Sequence, residues 1–291
     1  MLKHRLISGS CLVAATIIMV FVDHWIADVV FLVIGSAGLL FGLTELHGML
    51  NRIDLPGYPL LTKGASLLLV ISSLPVVQKN CHEFPVLEVI ICAFLFIGFF
   101  LVFQEGDFEK GIRKLLSSCG ALVYLCLPLW MLCRIYYWNE GAGAGPYLFF
   151  WLVLTTKAGD IGGYTLGNIT HRLSGGNNHK LVPKISPKKS WEGLLGSILF
   201  SAALGYILMR VMGENMHVDG LPVLTALAAP ILGAVLAVVG LYGDLAESAF
   251  KRGTGVKDSG STLPGMGGIL DVLDSLILAA PLFFIFLKAQ S

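Results

Sequence analysis

Long apolar runs separated by short polar segments dominate the chain. A helix that crosses about 30 Å of hydrocarbon needs roughly 20 mostly apolar residues. Runs of about this length predict nine membrane spans, at residues 6–22, 29–46, 64–78, 86–103, 117–137, 147–169, 191–212, 221–248 and 268–287. The third is the weakest candidate, because it is short and contains Pro75. The pattern therefore predicts an all-α, polytopic integral membrane protein.

Composition supports this class of protein. Of the 291 residues, 55% are hydrophobic and only 13% are charged, with a mean hydropathy of +0.78, which is far from the usual composition of soluble domains. The first apolar run follows basic residues, as in a signal peptide, but it lacks a small-residue cleavage site. We therefore expect it to be retained as the first span. No nucleic-acid partner is expected.

The distribution of lysine and arginine predicts the orientation of the chain. With the N-terminus in the cytoplasm, fifteen of the 20 basic residues fall on the inside, four on the outside and Lys157 within a span. Because cytoplasmic loops carry the excess of basic residues, this orientation is favoured. It places the loops 170–190 and 249–267 in the cytoplasm. We interpret residues 1–145 as a scaffold with a lipid groove and residues 146–291 as the catalytic region.

Ionisable residues interrupt the spans of the C-terminal half. They include Lys157, Asp160, Asp244, Glu247, Asp271 and Asp274. A charge inside a bilayer costs several kcal/mol, or less near its surface, so such residues need a partner or a function. Lys157 and Asp160 are three residues apart, which places them on one helix face where they can pair. That pair alone could be structural and merely hold helices together.

Three aspartates suggest a cation site. Asp244, Asp271 and Asp274 are all expected close to the cytoplasmic ends of their spans, where their charges would repel one another unless a cation lay among them. Oxygen ligands of this kind suit Mg²⁺, which takes one or two carboxylates and fills its remaining positions with water and phosphate oxygens. The sequence therefore predicts a magnesium and phosphate site.

Two loops of the C-terminal half are basic, and one of them joins the spans that carry these carboxylates. Lys251, Arg252 and Lys257 lie among six glycines in residues 250–268, and both kinds of basic side chain bind phosphate. The loop 170–190 contributes five more basic residues. Ser190 is expected to cap the helix that follows, with Glu192 in its first turn. Attraction to anionic lipid headgroups would explain the lysines, but it would not explain the neighbouring carboxylates.

The most specific pattern is "SAFKRGTGVKDSGSTLPGMGGILDVLD", from Ser248 to Asp274. It resembles the signature of the phosphatidate cytidylyltransferases, or CDP-diacylglycerol synthases. The segments "GDIGGY", "ISPKKSWEG" and "GDLAES" are similar to that family's other blocks, in the same order. The resemblance covers the C-terminal half. It departs from the family pattern at Met266, where histidine is usual, and at Val272, where arginine is usual.

The resemblance implies transfer of CMP from CTP to phosphatidate, which gives CDP-diacylglycerol and pyrophosphate. It implies catalytic roles for Asp244, Lys251, Lys257, Asp271 and Asp274. It implies substrate-binding roles for Asp160, Ser186, Lys188, Lys189, Ser248, Arg252 and Asp258. Asp244, Asp271 and Asp274 are the expected Mg²⁺ ligands. Ser248 is interpreted as a hydrogen-bond donor to phosphate, because no histidine base lies near it in the sequence.

Two other functions remain open at this point. A related CTP-dependent membrane enzyme could act on another lipid, such as a polyprenol or an archaeol-type lipid. An ion-coupled secondary transporter would also place charges in its helices, but its site tends to lie near the bilayer midplane between repeated halves. The carboxylates here lie near the predicted cytoplasmic ends and no repeat is seen, which favours the enzyme. By the resemblance we also expect a homodimer in a bacterial inner membrane.

Overall fold

A computed structural model describes residues 13–22, 24–81, 84–138, 143–218 and 220–290. The helices are α1 His24–Asn51, α2 Pro59–Ser73, α3 Pro75–Asn80, α4 Val86–Gln104, α5 Phe108–Tyr136, α6 Ala144–Leu173, α7 Trp191–Met212, α8 Ala228–Gly253 and α9 Leu270–Lys288. Two short antiparallel hairpins are the only sheets in these ranges: β1 Lys180–Val182 with β2 Ser186–Ser190, and β3 His217–Val218 with β4 Leu221–Pro222. The predicted all-α membrane fold is confirmed.

Six helices of the described residues are long and apolar enough to cross a membrane. They are Trp25–Asn51, Val86–Gln104, Phe108–Tyr136, Trp191–Met216, Ala228–Gly253 and Leu270–Lys288. Each matches one of the predicted spans within a few residues, apart from the earlier start of α5 and the later start of α8. The predicted number of nine is not confirmed.

The other three predicted spans have different outcomes. The span 6–22 lies partly outside the described residues, although residues 13–21 are helical. The span 64–78 falls on α2 and α3, which separate at Leu74, whose backbone is extended directly before Pro75. This break has a physical cause, because a residue before proline is biased away from the helical conformation. The span 147–169 lies within the 30 residues of α6, which carries Lys157 and Asp160.

The chain forms two compact units. The first unit comprises the described residues of 1–137 and 250–272, and the second comprises those of 138–249 and 273–291. Helices α8 and α9 therefore each contribute to both. The predicted division at residue 145, and the roles given to the two halves, stay predictions.

In the first unit, α5 begins earlier than its apolar run predicts. Asp107 caps the helix by accepting a hydrogen bond from the Lys110 amide at 3.1 Å, so the helix starts at Phe108. Farther along, residues Leu122–Cys126 form a π-helical turn that ends two residues before Pro128. Because proline lacks an amide hydrogen and its ring crowds the preceding turn, a wider turn there lets the helix continue.

In the second unit, α6 and α7 pack closely and antiparallel through small residues. A side-chain carbon at Gly162 would lie 2.5 Å from the Gly196 carbonyl oxygen, and the reverse distance is also 2.5 Å, so the two backbones nearly touch. The Trp151 indole donates to the Gly205 carbonyl at 2.9 Å across the same interface. Small residues at every fourth position permit such close helix packing in membranes. Helix α6 carries two of the charged residues described next, and β2, which carries a third, leads directly into α7.

Candidate active site

A group of charged side chains lies on four elements of the second unit, and we call it the lysine–aspartate cluster. Its members are Lys157, Asp160, Lys189, Asp244 and Asp274. Lys157 on α6 is its centre, with Nζ 3.1 Å from Asp160 Oδ2 and 3.7 Å from Asp274 Oδ1. Asp244 is also close enough to interact electrostatically with Lys157. The predicted pairing of Lys157 with Asp160 is confirmed.

Ser275 connects two members of the cluster through its hydroxyl group. Lys157 Nζ donates to Ser275 Oγ at 2.9 Å, and Ser275 Oγ donates in turn to Asp160 Oδ2 at 3.2 Å. Ser275 is fully buried, whereas the Asp160 side chain is 40% exposed. The cluster is therefore fixed by packing at Ser275, while the Asp160 carboxylate is accessible to a ligand.

Lys189 reaches the cluster from the hairpin that precedes α7. Its Nζ lies 2.6 Å from Asp244 Oδ2 on α8, and Ser248 Oγ donates to Asp244 Oδ1 at 3.3 Å. Ser190, the next residue, caps α7 by accepting a hydrogen bond from the Gly193 amide at 3.1 Å, as predicted. Because the cap fixes the end of β2, it also fixes the start of the Lys189 side chain.

The strand β2 separates two lysines that the sequence prediction assigns to one phosphate group. Residues Ser186 and Lys188 alternate with Lys189 along the strand, so their side chains project to the opposite face. Lys188 is exposed, whereas Lys189 is largely covered and paired with Asp244. Lys188 and Ser186 thus remain available to solvent, and their binding role stays a prediction.

Asp271 lies in the first unit, where donors surround its carboxylate. Lys251 Nζ lies 2.6 Å from Oδ1. Oδ2 accepts from the Ser259 amide at 3.0 Å, from the Ser259 hydroxyl at 2.8 Å and from the Gly268 amide at 2.8 Å. These bonds close the base of the segment 254–269, which we call the signature loop. Asp271 therefore stabilises the conformation of the signature loop through these hydrogen bonds.

The sequence analysis missed a second carboxylate at the same loop. Glu45 on α1 accepts hydrogen bonds from the Thr262 hydroxyl at 2.6 Å and from the Ile269 amide at 3.0 Å. It also accepts from the Leu270 amide at 3.1 Å. The signal was present in the sequence, because Glu45 is an acidic residue within a predicted apolar span.

The predicted residues thus divide between the two units. The second unit brings together Asp160, Lys189, Asp244, Ser248 and Asp274 with Lys157, whose pairing with Asp160 was predicted, and the structure adds Ser275. The first unit brings together Lys251 and Asp271, while Arg252, Lys257 and Asp258 are exposed. In the residues that the structure describes, no group of three or more His, Cys, Asp or Glu side chains is arranged to hold a metal ion. The three-aspartate magnesium site stays a prediction.

An apolar cavity of about 270 Å³ lies within the first unit. Its lining includes Leu46, Leu50, Leu116, Tyr124 and Phe250, together with Arg113. Phe250 directly precedes Lys251 on α8, so one wall of the cavity is continuous with the basic residues of the signature. The Arg113 side chain is 57% exposed and thus also faces the surroundings.

Comparison with known proteins gives a match along nearly the whole chain. The model of the Cytidylyltransferase family matches residues 3–290. The chain is 33% identical over 212 residues to uncharacterized protein YnbB of Escherichia coli, covering 72% of this chain and 65% of that protein. It is 35% identical over 153 residues to a phosphatidate cytidylyltransferase of Haemophilus influenzae, covering 53% and 50%.

A third relative is matched over almost its full length. A phosphatidate cytidylyltransferase of Staphylococcus saprophyticus is 30% identical over 258 residues, which cover 79% of this chain and 93% of that protein. The chain spans only about half to two thirds of the length of the first two relatives.

Proposed function

Because the chain belongs to the cytidylyltransferase family, we propose that it transfers the cytidylyl group of CTP to phosphatidate, giving CDP-diacylglycerol and pyrophosphate. The similarity to phosphatidate cytidylyltransferases of two bacteria supports the choice of lipid. The observation that carries the proposal is the lysine–aspartate cluster. It provides ammonium groups for phosphates and carboxylates for a cation, on helices that lie in a membrane.

The proposed reaction is a direct displacement. A phosphate oxygen of phosphatidate attacks the α-phosphorus of CTP and forms a new P–O bond, while the bond from the α-phosphorus to the bridging oxygen breaks. Pyrophosphate leaves with the bonding electron pair. A phosphate monoester is already largely dianionic at pH 7, since its second pKa is about 6. The attacking oxygen therefore needs no general base, which agrees with the absence of histidine at Met266.

The basic residues are assigned to the phosphate groups of the two substrates. We assign Lys251, Arg252 and Lys257 to the triphosphate of CTP, since lysine and arginine are the usual ligands of phosphate oxygens. Lys189 is assigned to a phosphate group of one substrate, and Lys188 and Ser186, on the opposite face of β2, keep their predicted binding role for a separate contact. In this assignment Lys189 exchanges its ion pair with Asp244 for a pair with phosphate, so substrate binding releases the Asp244 carboxylate.

The donor atoms of the cluster fit Mg²⁺. Asp244 and Asp274 provide carboxylate oxygens, and Mg²⁺ usually takes one or two carboxylates together with substrate phosphates, so a larger group of protein ligands is not required. We propose that these two residues hold the ion, with Asp160 next to them and Asp271 kept as a predicted ligand. When bound, the ion would offset the negative charge that grows on pyrophosphate.

The apolar cavity of the first unit supports the predicted lipid groove. Burial of each methylene group contributes about 0.8 kcal/mol, so a chain segment inside the cavity would gain several kcal/mol. We propose that it receives part of an acyl chain of phosphatidate, with Arg113 near the charged headgroup. Leu116→Trp should fill the cavity and raise the KM for phosphatidate more than the KM for CTP.

The decisive experiment uses purified protein in detergent with labelled CTP, Mg²⁺ and a panel of lipid acceptors. Phosphatidate should give labelled CDP-diacylglycerol and a stoichiometric amount of pyrophosphate. Lys189→Met should reduce the rate strongly, while Lys110→Met, which removes an exposed lysine of the first unit, serves as the control. Preferential labelling of a polyprenyl phosphate would identify another acceptor, and no transfer to any lipid would contradict the proposal.

We also propose that the site faces the cytoplasm of a bacterial inner membrane. The excess of basic residues in the loops 170–190 and 249–267 supports this orientation. In a variant without the six native cysteines, single cysteines at Gly176 and Gly255 should react only with a reagent added from the cytoplasmic side. A cysteine at Gly143 should react from outside. Labelling of Gly255 from outside would reverse the proposed orientation.

A further inference from the structure

Glu45 accepts hydrogen bonds from the amides at the start of α9, a role that a residue next to the helix normally has. The first amide groups of a helix have no partner within the helix, and a Ser, Thr, Asp or Asn side chain at its start usually accepts from them. The residue before α9 is Ile269, whose side chain has no acceptor. Glu45 accepts from the Ile269 and Leu270 amides instead, across a sequence separation of more than 220 residues.

The same carboxylate also holds the signature loop at a second point. Its Oε1 accepts from the Thr262 hydroxyl at 2.6 Å, and its Oε2 lies 3.2 Å from Ser259 Oγ. The Ser259 hydroxyl has one hydrogen and lies 2.8 Å from Asp271 Oδ2 as well. Glu45 and Asp271 thus share the serine that follows Lys257 and Asp258.

The backbone of the loop comes very close to this carboxylate. A side-chain carbon at Gly260 would lie 2.5 Å from Glu45 Oε1, and one at Gly268 would also collide with the Glu45 carboxylate. A side chain at either position would force the Glu45 carboxylate to move. The base of the loop thus lies directly against the Glu45 side chain of α1.

The outer turn of the loop is held by its own backbone. Leu263 and Gly267 are hydrogen-bonded to each other, and Met266 donates to the Leu263 carbonyl at 3.0 Å. The base has no such ladder and depends on the carboxylates of Glu45 and Asp271. A shift of the base would move Lys257, which lies two residues before Ser259 and is exposed.

From these contacts we propose that Glu45 is a positioning residue, which holds the base of the signature loop so that Lys257 can bind the triphosphate of the nucleotide. The inference rests on the proposed function for the identity of the nucleotide. It does not require Glu45 to touch either substrate. It assigns a role in nucleotide binding to a helix of the N-terminal half, outside the motif segments of the C-terminal half.

The test compares full-length Glu45→Ala, Glu45→Gln and Thr262→Val with the wild type and with Glu88→Gln, an exposed glutamate in the first turn of α4. Hydrogen–deuterium exchange should become about tenfold faster at the Ile269 and Leu270 amides in Glu45→Ala, because both lose their acceptor. Glu45→Gln keeps one acceptor oxygen and should show an intermediate effect. Glu88→Gln should leave these amides unchanged.

Steady-state kinetics separate positioning from general stability. In Glu45→Ala the KM for CTP should rise about tenfold while kcat falls much less, because a displaced loop weakens nucleotide binding. Partial restoration in Glu45→Gln, and a smaller rise in Thr262→Val, should follow the number of hydrogen bonds that remain. Thr262→Val keeps the carboxylate and therefore provides the test if Glu45→Ala does not fold.

Two results would overturn the inference. One is unchanged exchange of the Ile269 and Leu270 amides in Glu45→Ala, and the other is an unchanged KM for CTP in Glu45→Ala or, if that variant does not fold, in Thr262→Val. Equilibrium binding of labelled CTP to the wild type distinguishes the two proposals. If the wild type binds no CTP, the proposed function fails, and the link from Glu45 to the nucleotide fails with it. The exchange data would then test only whether Glu45 holds the loop.

Discussion

Asp271 in the first unit and Asp244 in the second belong to the same set of predicted site residues, but their surroundings differ. Asp271 accepts hydrogen bonds from two backbone amides and a hydroxyl, in addition to its contact with Lys251. Asp244 is held by the ammonium group of Lys189, with a longer hydrogen bond from Ser248. Asp274, three residues after Asp271 on α9, lies 3.7 Å from the ammonium group of Lys157.

The two carboxylates differ in how easily their hydrogen-bond donors can move away. A backbone amide cannot move away from a carboxylate by a side-chain rotation, whereas a lysine side chain can move to another rotamer. The carboxylates of the second unit can therefore exchange their lysine for a cation as a phosphate arrives. Asp271 is better suited to keep the signature loop folded. Neighbouring acidic residues of one sequence motif thus need not share one function.

The largest expected effect is that of Asp244→Asn. It removes the formal charge that pairs with Lys189 and that we assign to the cation, so kcat/KM should fall about 100- to 1,000-fold. Amide exchange in the signature loop should stay unchanged, unlike in Asp271→Asn, where loop exchange should rise together with the loss of activity. Asp54→Asn is the control, because Asp54 is exposed and asparagine tolerates its positive φ of 56°. Near-normal turnover of Asp244→Asn at limiting Mg²⁺ would remove this residue from the cation site.

A smaller loss is expected for Lys257→Met. A charge-assisted hydrogen bond contributes about 1.5 to 3 kcal/mol, so removing it should raise the KM for CTP, lower kcat, or do both, with a combined loss of roughly 10- to 100-fold. Lys257 is exposed in the first unit, so the thermal stability of the protein should not change. Lys110→Met controls for the loss of one positive charge. An unchanged KM and kcat would exclude Lys257 from nucleotide binding.

Stability should distinguish the lysines of the two units. Lys157→Met leaves Asp160 and Asp274 without their common ammonium partner, which should cost about 1 to 2 kcal/mol, since the Lys157 side chain is 32% exposed. The Tm should fall by roughly 2–6 °C. Lys251→Met should lower it less, because Asp271 keeps three hydrogen bonds. Thermal unfolding of both variants in the same detergent checks this order, and an equal or larger effect of Lys251→Met would contradict it.

Much of the fold follows from the apolar pattern of the sequence, because length and hydropathy decide which helices can cross a membrane. The break at Leu74 and the Ser190 cap were also predictable from local rules for proline and serine. The early start of α5 was missed because its first turns are polar, although Asp107 is a good capping residue. The close packing of α6 on α7 had a signal in glycines at every fourth position, Gly159 and Gly163 among them.

The site was predictable in its residue types but only partly in its pairings. The spacing of three residues correctly predicted the contact of Lys157 with Asp160, because helix geometry is local. The partners of Asp244 and Asp274 come from other elements, and no sequence rule specifies that Lys189 rather than Lys188 reaches Asp244. That choice depends on the alternation of β2, a hairpin that apolar periodicity does not reveal. The role of Glu45 was missed because its hydrogen-bond partners lie more than 200 residues away in the sequence.

The smallest effect is expected at Met266, where the family pattern has histidine. Met266 lies in the self-contained outer turn of the signature loop, whose backbone bonds do not involve its side chain. If phosphatidate attacks as a preformed anion, a restored histidine has no proton to remove, and Met266→His should change kcat by less than about tenfold. A general base would contribute roughly 100-fold or more. The comparison with Lys257→Met therefore separates an electrostatic mechanism from a base-driven one. An electrostatic mechanism predicts that activity falls more in Lys257→Met than it rises in Met266→His, whereas a base-driven mechanism predicts a large rise in Met266→His. Steady-state rates of both variants at saturating and limiting CTP decide between them, and a hundredfold gain in Met266→His would rule out the preformed anion.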